Sequence, residues 1–159
     1  MILREGEQIM KVFHHHPTPF VFTVFKVILG VLPFYVFLYL FNGALSAGTF
    51  WTLALILLFV FIGVLIYVSL IYWLDRLIVT NERVVFVDYK WLGTKLETEL
   101  EIADIQEIIS HENGIFAYFW IFDYGFVELD TPASNVPLHF PNASNPDGIR
   151  QFIYHIKNL

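Results

Sequence analysis

Residues 50–74, with the sequence FWTLALILLFVFIGVLIYVSLIYWL, form a stretch of 25 residues without a charged side chain. An α-helix rises about 1.5 Å per residue, so a helix of this length covers the roughly 30 Å hydrocarbon core of a bilayer. A second apolar stretch, residues 20–41, is interrupted only by Lys26, whose long side chain can reach back to the membrane interface. The sequence therefore predicts two transmembrane helices, at 20–41 and 50–74, joined by a short loop at 42–49.

The residues after the hairpin differ in net charge from the rest of the chain. Residues 75–159 contain 13 acidic and six basic residues, a formal charge of −7, whereas residues 1–74 contain two acidic and three basic residues. The 85 residues of this acidic segment can bury one modest hydrophobic core, so we predict a single domain at 75–159. The residues before the first apolar stretch, 1–19, are predicted to be an N-terminal juxtamembrane segment. The negative charge of the predicted domain disfavours nucleic acid as a partner, because phosphate contacts need clustered Lys and Arg. The chain has no cysteine, which excludes disulfides and a cysteine nucleophile.

The basic residues predict the orientation of the hairpin. Arg4, Lys11 and Lys26 precede or begin the first helix, Arg76 and Arg83 follow the second, and the loop between the helices is uncharged. The positive-inside rule then places both termini in the cytoplasm. Because the N-terminus is polar and mixed in charge, it does not read as a cleaved signal peptide. We expect a multi-pass protein of the cytoplasmic membrane.

After residue 74 the apolar residues alternate with polar ones. In residues 94–102, Leu96, Leu100 and Ile102 alternate with charged residues, which is typical of a half-buried strand. Comparable patterns predict further strands at residues 76–80, 84–89, 105–110, 127–130 and 136–140. Residues 113–124 follow no period.

The chain ends in a predicted amphipathic helix. Asn145 is a suitable N-cap, Pro146 suits the first helical position, and Asp147 complements the helix dipole. An apolar stripe follows at helical spacing, formed by Ile149, Phe152, Ile153 and Ile156. Six or seven antiparallel strands and one helix predict a small α+β domain.

Several segments together resemble the membrane-flanked bacterial pleckstrin-homology-like (PH-like) domains. LREGEQIM (3–10) and HHHP (14–17) before an apolar hairpin are similar to the N-terminal lead of that family. The domain segments that resemble the family are LIVTNERVVFVDYKWLG (77–93), ELEIADIQEI (99–108), IFDYGFVELDT (121–131) and DGIRQFIYHI (147–156). The resemblance implies a membrane helical hairpin followed by a bent barrel of about seven antiparallel strands with a C-terminal capping helix. It implies no catalytic residue.

Two groups of ionisable residues are candidate ligand sites. His14, His15 and His16 are consecutive, so their side chains cannot readily converge on one metal ion, and we interpret them as a juxtamembrane interface segment. Whether they bind metal stays open. Glu97, Glu99 and Glu101 share one face of a strand and are interpreted as a solvated acidic row. The remaining histidines, His111, His139 and His155, lie on different predicted elements. We predict no catalytic residue, metal site or cofactor.

The aromatic segment IFAYFWIFDY (115–124) is the most unusual feature of the predicted domain. Its aromatic side chains can form core, rest on the bilayer, or provide a patch that a partner or a second copy covers. The candidate interaction or membrane-docking residues are Phe116, Tyr118, Phe119, Trp120 and Phe122.

The functional hypothesis is a binding module and not an enzyme. No nucleotide-binding or nucleophile-elbow motif is present, and the turn at Asn81, Glu82 and Arg83 lacks the basic cluster that phosphoinositide-type headgroups require. We therefore expect a membrane-tethered, protein-binding or self-assembling scaffold that contacts lipid through its two helices. The alternative is a domain that senses lipid or membrane state at the bilayer surface.

Overall fold

The computed structural model describes residues 2–91, 93–112, 123–131 and 137–158. It forms two compact units, one of Pro19–Leu70 and one of Met1–Thr18 together with Ile71–Leu159. The second unit, called the domain below, therefore contains residues from both sides of the apolar hairpin.

The hairpin consists of helix α1 (Pro17–Leu40), a 3-10 turn (Asn42–Ala44) and helix α2 (Ala47–Leu74). Both helices are long and apolar enough to cross a membrane. They begin three residues earlier than the sequence predicts, since Pro17 is favourable in a first helical turn and the Ser46 hydroxyl accepts the Thr49 N–H at 3.2 Å. Most apolar side chains of the two helices are exposed, as expected for surfaces that face lipid or other helices.

The first sheet of the domain contains four antiparallel strands in the order β1 (Ile9–His14), β2 (Arg76–Thr80), β3 (Arg83–Trp91) and β4 (Thr94–Glu101). β1 comes from the segment that was predicted to be juxtamembrane, and its pairing with β2 brings His14 opposite Arg76 and Phe13 opposite Leu77. The hairpin is therefore inserted between two neighbouring strands of one sheet.

The second sheet contains three antiparallel strands, β5 (Glu107–Glu112), β6 (Tyr124–Asp130) and β7 (Leu138–Ser144), and is followed by helix α3 (Pro146–Lys157). A 3-10 turn (Ile102–Asp104) connects the two sheets, so β5 begins later than predicted. The Asn145 side chain caps α3 by accepting the Gly148 N–H at 2.8 Å, as predicted.

One hydrophobic core joins the sheets and α3. The predicted stripe of α3 packs into it, with Ile149, Ile153 and Ile156 buried and Phe152 partly buried. The strands contribute large side chains that include Leu77, Phe86, Leu129, Leu138 and Phe140. The predicted fold class is confirmed: a helical hairpin, two antiparallel sheets and a C-terminal helix, with seven strands in the described part of the chain.

Candidate functional site

Short connections define one end of the domain. Only His15 and His16 separate β1 from α1, and only Asp75 separates α2 from β2. We call this end, where the chain leaves for α1 and returns from α2, the helix-proximal end.

His15 lies in the interior at the helix-proximal end, with 5% of its surface exposed. Its ring stacks on Phe140 at a centroid distance of 5.0 Å and contacts Tyr72 at 5.2 Å. Its Nε2 lies 3.6 Å from Oδ2 of Asp75, whose other oxygen accepts the Tyr89 N–H at 2.7 Å. Its Nδ1 is buried without a hydrogen-bond partner. His15 is thus a core residue, which corrects its interpretation as part of an interface segment.

His16 connects both helices to the second sheet. Its N–H donates to the Asn142 carbonyl at 2.8 Å, and its carbonyl accepts the Tyr72 hydroxyl at 2.5 Å. Its ring stacks on Tyr124, and its Nδ1 accepts the Thr18 N–H at 3.2 Å. Burial lowers the pKa of His16, although the nearby Asp123 carboxylate partly opposes this shift. A neutral ring suits the acceptor role of Nδ1.

The opposite end of the domain carries a buried ion pair. The Arg83 guanidinium donates from Nε and Nη2 to the two oxygens of Glu7, at 2.8 and 2.9 Å, and both residues are buried. Nη2 also donates to the Ile2 carbonyl at 2.8 Å. The hydrogen bond from Arg83 is the main cause that lowers the pKa of Glu7 to about 2. This bidentate pair holds the N-terminal residues against the first sheet.

The predicted acidic row is an ion-paired row. Glu97 pairs with Lys95, Glu99 with Arg83, and Glu101 with Arg4 at 3.1 Å. The hydrogen bond from Lys95 is the main cause that lowers the pKa of Glu97 to about 2. These carboxylates thus have basic neighbours, and no group of three or more His, Asp and Glu residues in the described part could hold a metal ion.

Three rings form a row across the second sheet on the side that faces away from the core. The Phe126 ring on β6 lies 5.2 Å from His111 on β5 and 5.0 Å from His139 on β7. Ile109 and Glu128 are opposite each other beside this row. We call this surface, formed by Ile109, His111, Phe126, Glu128 and His139, the outer face. Sequence reasoning did not predict that His111 and His139 flank one aromatic ring, whereas His155 lies on α3.

The other polar groups near β1 have local roles. An open groove of about 390 Å³ between β1 and the start of α3 is lined by residues that include Lys11, His14, His15 and Asn145. The Lys11 ammonium lies over the rings of Phe13 and Phe152, at 4.9 and 5.2 Å. Asn145 caps α3. Packing and capping thus account for Lys11 and Asn145.

The predicted interaction residues of the aromatic segment, Phe116, Tyr118, Phe119, Trp120 and Phe122, lie outside the described residues. Their role stays a prediction.

Comparison with known proteins gives structural similarity only. No protein-family model and no curated protein matches the chain. Two solved structures are similar: a DUF1696 family protein with a pleckstrin-homology domain from Shewanella loihica PV-4, and a pleckstrin homology domain from Shewanella amazonensis SB2B. Each is 17% identical over 52% of this chain, covering 70% and 66% of those chains with TM-scores of 0.41 and 0.40. Both are pleckstrin-homology-domain proteins, the class that the sequence resembles.

Proposed function

We propose that this chain is a membrane-anchored PH-like module that binds a protein partner at the membrane surface and has no enzymatic activity. The observation that carries the proposal is the aromatic row on the outer face. The two apolar helices would anchor the domain, and the short connections at His15–His16 and Asp75 would keep it beside the bilayer.

The outer face has the composition of a binding surface. Strand alternation directs Ile108, Val127 and Leu138 into the core, so Ile109, Phe126 and His139 point away from it. The solvent face of an antiparallel sheet is usually polar. Here the rings of His111, Phe126 and His139 form a row across β5, β6 and β7 of the second sheet. Ile109 beside this row is 43% exposed. Aromatic side chains held rigidly in this way are enriched in protein interfaces.

Charge defines the partner. Glu107 and Asp130 are opposite each other on β5 and β6, and Glu128 lies between this pair and the rings. The domain as a whole is acidic. The complementary partner is a segment with apolar side chains next to Lys or Arg. A second copy of the domain would instead bring like charges together, so we place any self-assembly in the helices.

The ionisable side chains support a binding role over catalysis. Glu99 and Glu7 bind Arg83, and Asp75 accepts the Tyr89 N–H beside a buried His15. These contacts stabilise the fold. Lipid contact is a second candidate function, because Trp91 is strongly exposed at the helix-proximal end.

Co-purification from native membranes tests the proposal, followed by reconstitution with the purified partner. Ile109→Lys should abolish capture, because it places a cation against the basic segment of the partner. Tyr154→Lys, at a comparably exposed site on α3, is the matched control and should retain capture. The complex should also weaken as salt concentration rises. A partner captured equally by both variants, or recovery of the chain alone, would contradict the proposal.

A further inference from the structure

The β3–β4 hairpin extends beyond the sheet at the helix-proximal end. Val87 of β3 lies opposite Arg76, the first residue of β2, but β3 continues to Trp91. β4 remains paired with this extension, with Leu96 opposite Asp88 and Thr94 opposite Trp91. The four residues of β3 after Val87, with a rise of about 3.3 Å per residue, and the β4 residues paired with them form a two-stranded arm roughly 13 Å long.

The base of this arm is bonded to the residue that follows α2. The Tyr89 N–H donates to Asp75 Oδ1 at 2.7 Å, and Asp75 is the single residue between α2 and β2. Asp75 directly follows Leu74, the last residue of α2, so the base of the arm lies next to the end of α2. If α2 crosses a bilayer, the arm begins at its surface.

The tip of the arm is apolar and close to neutral. Trp91, at the tip, is 67% exposed, and Leu96, at the base of the arm opposite Asp88, is 51% exposed. The nearby lysines are neutralised locally, since Lys90 pairs with Asp88 at 2.8 Å and Lys95 pairs with Glu97. Tryptophan favours the boundary between headgroups and acyl chains, whereas attraction to anionic lipid needs an excess of basic residues. The occupant that fits is the interface of a bilayer, without selectivity for anionic headgroups.

We propose that the tip of the arm, with Trp91 and Gly93, inserts into the headgroup boundary of the membrane that α1 and α2 cross. The domain then contacts the bilayer at a third place besides its two helix connections, which restricts its rotation and presents the outer face in a defined direction. This inference rests on the membrane anchoring in the proposed function, and it assigns the lipid contact to residues of the β3–β4 hairpin.

Single-cysteine labelling of the full chain tests the inference, because the chain has no native cysteine. Gly93→Cys places a fluorophore at the tip, where an added Cβ meets no atom within 4 Å. Ala103→Cys, in the exposed 3-10 turn at the opposite end of the domain, is the matched control. Leu58→Cys, within α2, reports on membrane insertion.

The labelled proteins are reconstituted in phosphatidylcholine vesicles that contain lipids with a nitroxide either near the headgroup or deep in the acyl chain. The Gly93 probe should lose emission with the shallow nitroxide, the Leu58 probe with the deep nitroxide, and the Ala103 probe with neither. Adding phosphatidylserine should leave the Gly93 signal unchanged. Trp91→Ser in the Gly93→Cys chain should reduce the quenching, and Trp91→Phe should retain most of it.

The outcomes separate this inference from the proposed anchoring. Quenching at Leu58 together with equal emission losses at Gly93 and Ala103 would overturn the tip insertion alone. An unquenched Leu58 probe would overturn the anchoring itself. A Gly93 probe that is unaffected by lipid nitroxides but shielded from aqueous iodide would show that a protein or a second copy covers the tip, which also overturns the inference.

Discussion

His15 brings an ionisable ring into the interior of the domain, and its surroundings explain how the fold accommodates it. The faces of the ring pack against Phe140 and Tyr72, whereas Nδ1 has no hydrogen-bond partner. A buried polar atom without a partner is unfavourable, so the ring contributes mainly through packing.

Two substitutions at His15 separate the packing of its ring from the approach of its Nε2 to Asp75. His15→Ala should lower the free energy of unfolding by about 2–5 kcal/mol, because it leaves a cavity between two rings. His15→Phe keeps the ring contacts and removes the unpartnered nitrogen, so its stability should equal or exceed that of the natural chain. Equilibrium unfolding in detergent measures both effects. If the Phe variant loses as much stability as the Ala variant, the approach of Nε2 to Asp75 is the dominant interaction.

Glu7 makes stability depend on pH in a defined range. Its pKa falls from an ordinary value of 4.5 to about 2 on folding, chiefly through the hydrogen bond from Arg83. A carboxyl group with a lowered pKa stabilises the folded state above pH 4.5, and this stabilisation is lost as the pH falls towards 2. Glu7→Gln should therefore reduce stability at neutral pH and flatten its decline over this range.

Unfolding free energies measured from neutral pH to pH 2 test this expectation. Glu107→Gln, on an exposed part of β5, is the control and should preserve the decline. The Glu97–Lys95 pair remains in both variants and accounts for a residual slope. An unchanged decline in Glu7→Gln would show that the pair with Arg83 does not form in solution.

Among the elements, the second sheet depends on one glycine. An added Cβ at Gly125 would lie 1.7 Å from the His111 carbonyl oxygen and 2.9 Å from Cγ of Pro146. Because the nearest atom belongs to the backbone of β5, the contact cannot be relieved by a side-chain rotation. Gly125 therefore allows β5, β6 and the start of α3 to pack together.

Gly125→Ala should separate the β5–β6 pair and sharply reduce the melting temperature. Gly93→Ala is the matched control, because an added Cβ at that position meets no atom within 4 Å. Thermal unfolding followed by circular dichroism compares the two variants. Equal melting temperatures would contradict the close approach of Gly125 to His111.

At the scale of the whole molecule, the apolar hairpin is an insertion between neighbouring strands of one sheet. β1 contributes Phe13 to the core and Val12 to the smaller apolar cluster of Ile78, Val85 and Val87 on the other side of the first sheet. The residues just before β1 contribute Glu7 to the ion pair with Arg83. A chain that begins at residue 75 therefore lacks an edge strand and leaves Arg83 without Glu7.

Removal of the hairpin tests this topology. His14 and Arg76 are register partners, so an Asn-Gly turn in place of residues 16–74, between His15 and Asp75, can connect β1 to β2 and keep this register. We expect this shortened chain to be soluble and to unfold cooperatively in urea. Residues 75–159 alone should not do so. Cooperative unfolding of the two proteins with equal stability would show that β1 is dispensable.

Cysteine accessibility tests the orientation predicted from the basic residues. Gly43→Cys lies in the turn between the apolar helices, and Ala103→Cys lies in the domain. A membrane-impermeant maleimide should label Gly43→Cys on intact cells and Ala103→Cys only after permeabilisation. The reverse pattern would place the domain outside the cell.

The sequence alone determined the elements whose signal is local. Continuous apolar residues predicted α1 and α2, two short apolar segments joined by a polar turn predicted β2 and β3, and alternation predicted β4. The Asn145 cap with the following stripe predicted α3. In each case the residues that define the periodicity are close together in the chain, so no distant partner is needed to recognise the element.

Only the tertiary structure decided how distant residues meet. β1 was not predicted because its partner strand β2 lies beyond the whole apolar hairpin in the chain. Arg83 pairs with Glu7 across 76 residues, and the row of His111, Phe126 and His139 depends on the register of three strands. Strand pairing is a non-local interaction, so the pattern within a single strand cannot specify its neighbour.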